Sequence, residues 1–478
     1  MGVGNILDRA ILTFAPERGR ARIKARVQAQ ALMNFDAASR GRRLKGWKAP
    51  STDADGASFA GRARMRQLSR DMCRNAPFAA RAKTVIKGNV VGKGIIPSAV
   101  CNKSQKSQVE RRVIGHLNST DLDFYGERNL TAMQRTVIDA VFESGEILAL
   151  RRTSTRSDGL DIPLQIQLVE TDHLDPTILS HGSNEVRDGI EYDAKERIVA
   201  YHIYEQHPGA ISTKASRLVS QRWPASEVIF VRRLDRAGQT RSWPWLAPVM
   251  VPIGEMRDYQ EAQILKQKMS AMLAGIATVP EGETPPENSG LDTLSPGGIA
   301  YTSGGETVAW IDPPRVDDYD TVMRHGLLAI AMGLGITYES LAGDLSRVNF
   351  SSARVGRLEM NRNVETWQQE LMIDQFCKGV ERWVMDAFRL VAKSNSRSPI
   401  CLEWTPQALA IVDPGKELKP MIEEIDAGLT SRQRTIRRLG RDPDVIARER
   451  EEDAAADAKS PAATSPETNT QNKEEAES

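Results

Sequence analysis

The sequence has 478 residues, 40% of them hydrophobic and 27% charged, so it can bury the cores of two or three domains beneath a charged surface. Lys and Arg number 64 against 63 for Asp and Glu, which argues against a broadly basic surface for holding nucleic acid. The four cysteines are far apart, unlike those of a zinc site or a redox dithiol, and are typical of a reduced, intracellular protein.

The first sixty residues are basic, with Lys and Arg recurring over 18–26 and 40–48. An arm that binds nucleic acid and an arm that wraps a neighbouring subunit both fit this pattern. Interspersed apolar residues such as Phe35 and Trp47 favour the second interpretation. No apolar stretch reaches membrane-spanning length, so no membrane partner is expected.

The next two hundred residues change from helical to strand periodicity. Helical spacing runs from Phe59 to Val91, breaks at Asn75-Ala76-Pro77 and stops at Gly92 and Gly94. Four short apolar or alternating runs then predict strands: Glu146–Leu150, Leu164–Val169, Ile198–Tyr204 and Val228–Val231. Together they predict a mixed α+β domain.

Helices dominate the rest of the chain. One is predicted from about Val249 to Gly275, with Lys266 and Lys268 on its polar faces, and a second from Asp317 to about Gly333. Between them, residues 278–314 are rich in Pro and Gly, with a strand pair expected at Gly298–Tyr301 and Val308–Ile311.

A Gly-rich loop, 335–350, precedes a helix predicted over 351–391. Its apolar stripe includes Trp367, Phe376 and Trp383, for which packing in the core or at a subunit interface is favoured over ligand stacking. Beyond Glu449 the chain has almost no apolar bulk and is predicted to be disordered.

The segment Gly88–Gly94 superficially resembles a phosphate-binding loop. Its glycines are one residue too close, and Gly94 stands where a Ser or Thr would bind magnesium. A glycine stop after a helix is the favoured interpretation.

Two groups of neighbouring polar residues contain side chains that could carry chemistry. Asp172, His173 and Asp175 are interpreted as a polar turn rather than a metal site. Glu143 and Glu146 are interpreted as solvated surface rather than a catalytic pair. We therefore predict no catalytic residue, no cofactor and no metal.

Three stretches together resemble the lambda-type family of phage portal proteins. They are 66–94 (RQLSRDMCRNAPFAARAKTVIKGNVVGKG), Trp245 to Met272, and 333–359 (GLGITYESLAGDLSRVNFSSARVGRLE). The resemblance extends from about Ala38 to Asp444. It implies an α+β, mainly helical portal fold that assembles into a ring with a central channel.

The resemblance also implies a division of the chain. The segments are a basic N-terminal arm (1–58), a wing (59–245), a first stem helix (246–276), a clip (277–316), a second stem helix (317–334), a loop that includes the tunnel loop (335–350), a long helix returning to the wing (351–412), a crown (413–448) and a disordered acidic tail (449–478).

The implied function is a passive channel for double-stranded DNA at the portal vertex of the virion, assembled in the bacterial cytoplasm, and not an enzyme. Its implied partners are other copies of itself, twelve in the virion, the terminase large subunit, head-completion or adaptor proteins, and the major capsid and scaffold proteins. A DNA-packaging or DNA-processing enzyme and a monomeric minor capsid or adaptor protein are the alternatives.

Two sets of residues are candidates for these roles. Arg347, Asn349, Lys266 and Lys268 are expected to face DNA in the channel. For Arg347, a salt bridge with Asp344 or a neighbouring subunit is an equally good interpretation. Trp367, Phe376 and Trp383 are expected to serve subunit packing as well as the core.

Overall fold

The computed structural model describes residues 51–153, 159–211, 219–278, 282, 298–302, 318–392, 400–408 and 414–459. The chain divides into two units, Met1–Ala57 and Ser58–Ser478. The predicted basic arm lies almost entirely outside the described residues. Helix α1 (Ala54–Phe59) spans the boundary, and every element named below belongs to the second unit.

Helices α2 (Arg62–Asn75) and α3 (Pro77–Val90) form where helical periodicity predicted them. Pro77 begins α3, a position at which the missing N–H costs nothing. After α3, Gly92 and Gly94 have φ values of +47° and +115°. The predicted glycine stop is confirmed, because these left-handed conformations end the helix and disfavour other residues.

The remaining elements of the α+β region confirm the four predicted strands and add others. They are β1 (Ile96–Val100), α4 (Lys103–Val109, continuing through a π-helical segment to Asn118), α5 (Leu130–Ser144), β2 (Glu146–Arg152), β3 (Gln165–Val169), β4 (Ser180–His181), β5 (Asn184–Arg187), β6 (Ile190–Tyr192), β7 (Ile198–Tyr204), β8 (Ser220–Pro224) and β9 (Val228–Arg232).

Two antiparallel sheets result, in the orders β3-β2-β9 and β4-β5-β6-β7-β8. Their register places Leu148 opposite both Val169 and Phe230. Leu148 and Leu150 then pack with Tyr201 of the second sheet in a buried cluster. This alternation of inward apolar side chains is the pattern on which the strand prediction rested.

The next helix, α6 (Met250–Met272), ends earlier than predicted. The chain continues as β10 (Leu273–Thr278), which pairs in parallel with β11 (Gly298–Thr302). The predicted partner of the latter strand, Val308–Ile311, lies outside the described residues. Gly275, Ile276 and Thr278 have lower helix propensity than the Gln, Lys, Ala and Met residues of the last turns of α6, which is consistent with the change to extended structure.

The C-terminal half is helical apart from one strand. Its elements are α7 (Tyr319–Leu334), α8 (Tyr338–Ala342), α9 (Phe350–Trp367), a π-helical segment (Gln368–Cys377), α10 (Lys378–Ala392), β12 (Cys401–Thr405), α11 (Pro414–Asp426), α12 (Arg432–Arg438) and α13 (Pro443–Lys459). Strand β12 pairs antiparallel with β1, so the long helix is followed by a return to the α+β region.

Helix α13 corrects the predicted start of the disordered tail, because it runs through Glu449 to Lys459. Ala, Glu and Arg fill this stretch and are strong helix formers even where no apolar face is buried. Residues 460–478 lie outside the described residues.

The main core joins α3, α5, β9, α7 and the long helix in one apolar cluster. Helices predominate over the sheets, so the predicted α+β, mainly helical class is confirmed. Across the described ranges, no helix has the length and apolar content to cross a membrane.

Candidate functional site

Helices α6 and α7 form an antiparallel hairpin whose direction is fixed by three pairs of residues. Gly333 faces Val249 near one end, Gly326 faces Met256, and the rings of Tyr259 and Tyr319 stack with centroids 5.7 Å apart. A Cβ at Gly326 would collide with the Met256 side chain. The two glycines therefore let the helices approach closely.

The outer faces of this hairpin expose large apolar side chains. Leu328 and Met332 lie one turn apart on α7 and are 45% and 74% exposed, and Val251 of α6 is 70% exposed. Large exposed apolar side chains that recur along one helix hairpin are typical of a surface that another protein covers. The hairpin is therefore a candidate subunit interface.

The two lysines predicted to face DNA lie on the far half of α6. Lys268 is exposed and Lys266 is half-buried, and Lys266 follows Tyr259 by about two helical turns. Nearer the main core, α6 has charges of both signs, and Arg257 pairs with Glu261 at 3.0 Å. A mixed surface of this kind gives DNA no strong electrostatic attraction.

The loop that contains Arg347 folds back along α7. Arg347 Nη2 lies 3.0 Å from Asp320 Oδ2, in the first turn of that helix. One turn further along α7, the guanidinium of Arg324 lies 5.5 Å from the ring centre of Tyr338, the first residue of α8. The ion pair that sequence analysis weighed for Arg347 therefore exists, with Asp320 as its partner instead of Asp344.

Asp344 and Asn349 have local structural contacts in this loop. The Asp344 carboxylate accepts hydrogen bonds from the backbone N–H and the hydroxyl of Ser346, and these hold the pKa of Asp344 below its usual value. Asn349 caps α9, because its Oδ1 accepts from the backbone N–H of Ser352 at 2.8 Å. Asn349 is exposed, but its side-chain oxygen is already used.

Two of the three aromatic residues predicted for subunit packing are fully buried in the chain's own core. Phe376 and Trp383 both have 0% exposure, and Trp383 Nε1 donates to the carbonyl of Ser226 at 2.7 Å. The core role expected of them agrees with this burial, and their side chains leave no exposed surface for a neighbouring subunit. An apolar helical stripe indicates burial but cannot tell whether the same chain or a neighbour covers it.

Trp367, the third aromatic residue, is partly buried. Its ring meets Trp245 edge to face with centroids 4.7 Å apart. Among the residues of α9 whose burial the structure describes, the large apolar residues Val355 and Leu358 are 65% and 55% exposed.

The candidate catalytic carboxylates have cationic partners. Glu143 binds Lys83 at 2.7 Å. Glu146 is buried against Arg241, 2.6 Å away, and accepts from the backbone N–H of Ser242. Burial alone would raise the pKa of Glu146, but Arg241 keeps it below the usual value. The interpretation of Glu146 as solvated surface is wrong, because the positive charge of Arg241 compensates the carboxylate and permits its burial.

Three arginines one turn apart on α2, which were not among the predicted site residues, extend this ion-pair network. Arg62 pairs with Asp188, while Arg66 and Arg70 both pair with Asp172. The i, i+4 spacing of these arginines places all three on one face of the helix, and this spacing in the sequence predicts a basic face.

The residues weighed as a metal site form part of the same region. The ligand atoms of Glu170, Asp172 and His207 lie within 4.8 Å of one another. Two guanidiniums already neutralise Asp172, an arrangement that competes with a cation.

Asp175 instead accepts hydrogen bonds from Ser220, Thr177 and Tyr204, and these bring its pKa to about 2 although burial would raise it. The polar-turn interpretation fits these contacts.

Comparison with known proteins places this architecture in a family. The model of phage portal proteins of the lambda family matches residues 40–368, more than half of the chain. The chain therefore belongs to the lambda family of phage portal proteins. Portal proteins form the ring at one vertex of the capsid, so the function predicted from the sequence is confirmed at the level of the family.

Individual relatives cover nearly the whole chain. It is 25% identical to a probable portal protein of Halomonas phage phiHAP-1, over 90% of this chain and 88% of the relative. It is 23% identical to the portal protein of Escherichia phage N15, over 84% and 86%. Its identity to portal protein B of Escherichia phage lambda is 22%, over 88% and 90%.

Solved structures show a more distant similarity. The neck of an empty gene transfer agent particle, computed with C6 symmetry, matches with a TM-score of 0.44 and 12% identity, over 78% of this chain and 94% of the other. The neck of the native particle, computed with C12 symmetry, has a TM-score of 0.42 and 12% identity, over 80% and 99%.

Proposed function

We propose that this portal protein forms a closed ring of twelve subunits that acts as a passive channel for double-stranded DNA during packaging and ejection. The observation that carries the proposal is the α6–α7 hairpin with its uncovered apolar side chains, Val251, Leu328 and Met332. A neighbouring copy that covers this surface with a different face makes a heterologous contact, and such contacts close into rings by rotation.

The charge balance supports passage of DNA rather than tight binding. The chain has a net charge of +1, and α6 up to Lys268 has three acidic and three basic residues. Tight phosphate neutralisation would make DNA affinity high and would slow its movement. A nearly neutral channel therefore suits rapid translocation.

We assign the work of translocation to a partner. The terminase large subunit would dock on residues 277–316, most of which lie outside the described residues, and head-completion or adaptor proteins would replace it. The segment Gly88–Gly94, which superficially resembles a phosphate-binding loop, is the end of a helix. The two candidate catalytic acids, Glu143 and Glu146, form ion pairs with Lys83 and Arg241. These findings favour a structural role over an enzyme of DNA packaging.

In this assembly, Arg347 is the residue we propose to contact DNA. Its side chain is 61% exposed, and its partner Asp320 is 79% exposed, so water screens the pair and the guanidinium can exchange partners. The ring would be built in the host cytoplasm together with the major capsid and scaffold proteins.

Electron microscopy of the purified protein tests the proposal against both alternatives. We expect rings with a central hole of about 20 Å or more, wide enough for duplex DNA. A persistent monomer would contradict the portal ring and favour a minor capsid or adaptor protein. A monomer with nuclease or ATPase activity would favour the packaging enzyme.

A further inference from the structure

A groove of about 580 Å³ lies between helix α9 and helix α12. Its lining is strongly basic: five arginines contribute to it, whereas Glu365 is the acidic residue among those that line it. The arginines are Arg354, Arg357, Arg362, Arg437 and Arg438. This concentration of positive charge is local, since the whole chain is nearly neutral.

The arginines come from opposite walls. Arg354 and Arg357 lie one turn apart on α9, and Arg362 lies on the following turns, whereas Arg437 and Arg438 come from α12. Between the walls lies Gln407, whose Oε1 accepts from the backbone N–H of Lys93 at 2.6 Å. Gln407 therefore ties the groove to the glycine turn that follows α3.

The two walls differ in how far their charge is compensated. Arg437 pairs with Glu403 at 2.8 Å, and Arg438 lies 3.8 Å from Glu424. On the other wall, Arg357 donates to Asn89 Oδ1, a neutral acceptor. The guanidinium groups of Arg354 and Arg362 make neither an ion pair nor a hydrogen bond with any part of the chain that the structure describes. Among the described residues, the α9 wall thus has three arginines against one acid, Glu365, and presents a net positive charge.

We propose that this groove binds phosphate groups of the DNA backbone, a contact separate from that of Arg347. The inference rests on the proposed function, which brings duplex DNA to the chain. Guanidinium groups match phosphate oxygens with paired N–H donors. From Arg354 to Arg362 the helix rises about 12 Å, a length that spans about three phosphates of one strand.

The position of the groove supports DNA as its occupant. Helix α9 begins directly after the loop that holds Arg347, and Arg354 follows the cap residue Asn349 by about 7 Å along the helix axis. The basic side chains of the groove thus begin on the helix that directly follows the loop of Arg347. A few solvent-screened contacts per subunit form and break readily, which keeps the groove compatible with sliding.

The test measures binding of the full-length ring to a fluorescent 30-base-pair duplex over a range of salt concentrations. The double variant R354Q/R362Q removes two charges that have no partner among the described residues, so the fold should be retained. We expect affinity to fall about tenfold and the slope of log affinity against log salt to shrink by about 0.9 for each phosphate that the ring no longer neutralises.

Two controls separate charge from fold. The variant R354K/R362K keeps both charges and should retain most of the salt slope. Arg382 is exposed on α10 and does not line the groove, so R382Q should leave affinity and slope unchanged.

Three results would overturn the inference. The first is equal affinity and slope for R354Q/R362Q and wild type. The second is equal weakening by the Lys and Gln variants, because charge would then not be the cause. The third is an effect of R354Q/R362Q that disappears when residues 460–478 are deleted, since the groove would then hold the acidic tail. None of these results affects ring formation, which fails only if the proposed function fails.

Discussion

Arg347 and Asp320 join two segments that are 27 residues apart in sequence, the loop before α9 and the first turn of α7. The contact places the loop along the side of the hairpin and holds the proposed DNA-contacting guanidinium at its surface. Because both side chains are largely exposed, the pair contributes little to stability, and the Arg347 guanidinium can exchange Asp320 for another partner.

Replacing Arg347 separates a role in DNA contact from a role in the ion pair. R347A and D320A both remove the pair, and each should change the free energy of unfolding by about 1 kcal/mol or less. Only R347A removes the positive charge, so we expect it alone to shorten the packaged DNA. Unchanged packaging by R347A with normal rings, or equal losses in both variants, would contradict the DNA contact.

The burial of Trp383 predicts a folding defect rather than an assembly defect. W383A leaves a cavity in the core and removes the donor to the Ser226 carbonyl, so it should lower the free energy of unfolding by about 3–5 kcal/mol. L390A, at a residue that is 75% exposed on the same helix, should stay within about 0.5 kcal/mol of wild type. Urea unfolding of dissociated subunits measures both. A normal unfolding curve for W383A with failed rings would return Trp383 to the interface.

Much of the local structure could be predicted because it depends on periodicity. The break at Asn75-Ala76-Pro77 and the strands at Ile198–Tyr204 and Val228–Arg232 follow from patterns within a few residues. The early end of α6 was missed because its sequence retains helical spacing past Met272. The helical course through Glu449 was missed because low apolar content was interpreted as disorder, although Ala and Glu form helices without burial.

The site was less predictable because its interactions join distant parts of the chain. No pattern near Arg347 identifies Asp320 as its partner. The basic groove likewise forms only when α9 meets α12, some seventy to eighty residues later in the sequence. Helical spacing predicts that Arg354 and Arg357 share a face of α9, but it does not predict which helix packs against that face.

The buried pair of Glu146 and Arg241 predicts a large loss of stability when one partner is neutralised. E146Q removes the buried carboxylate that Arg241 and Arg66 share and leaves Asp188 as the remaining counter-ion of Arg241, so it should cost about 3 kcal/mol in the free energy of unfolding. The matched control is E261Q, which breaks an exposed pair with Arg257 on α6 and should cost about 0.5 kcal/mol or less. A cost below about 1 kcal/mol for E146Q would show that the network is not essential to the fold.

Asp175 predicts a specific sensitivity to acid. Its pKa is about 2 in the folded chain, and burial opposes this shift while hydrogen bonds from Ser220, Thr177 and Tyr204 produce it. In the unfolded chain the pKa of Asp is about 3.9. The stability that ionised Asp175 contributes is therefore complete above about pH 4 and is lost as the pH falls toward 2. Unfolding of D175N should depend less steeply on pH between 4 and 2 than that of wild type, and equal slopes would contradict this role.

Met332 offers the sharpest test of the hairpin as a subunit interface. Its side chain is 74% exposed in the single chain, so M332E introduces a charge without disturbing the core of the folded subunit. In a ring that buries this surface, the same carboxylate would lose its hydration without gaining a partner. We expect M332E to melt close to wild type yet to remain monomeric in native mass spectrometry and electron microscopy. L179E makes the same change at an equally exposed residue outside the hairpin and should form rings normally. Intact rings of M332E would move the interface away from this face, and equal failure of L179E would point to a general effect of added charge.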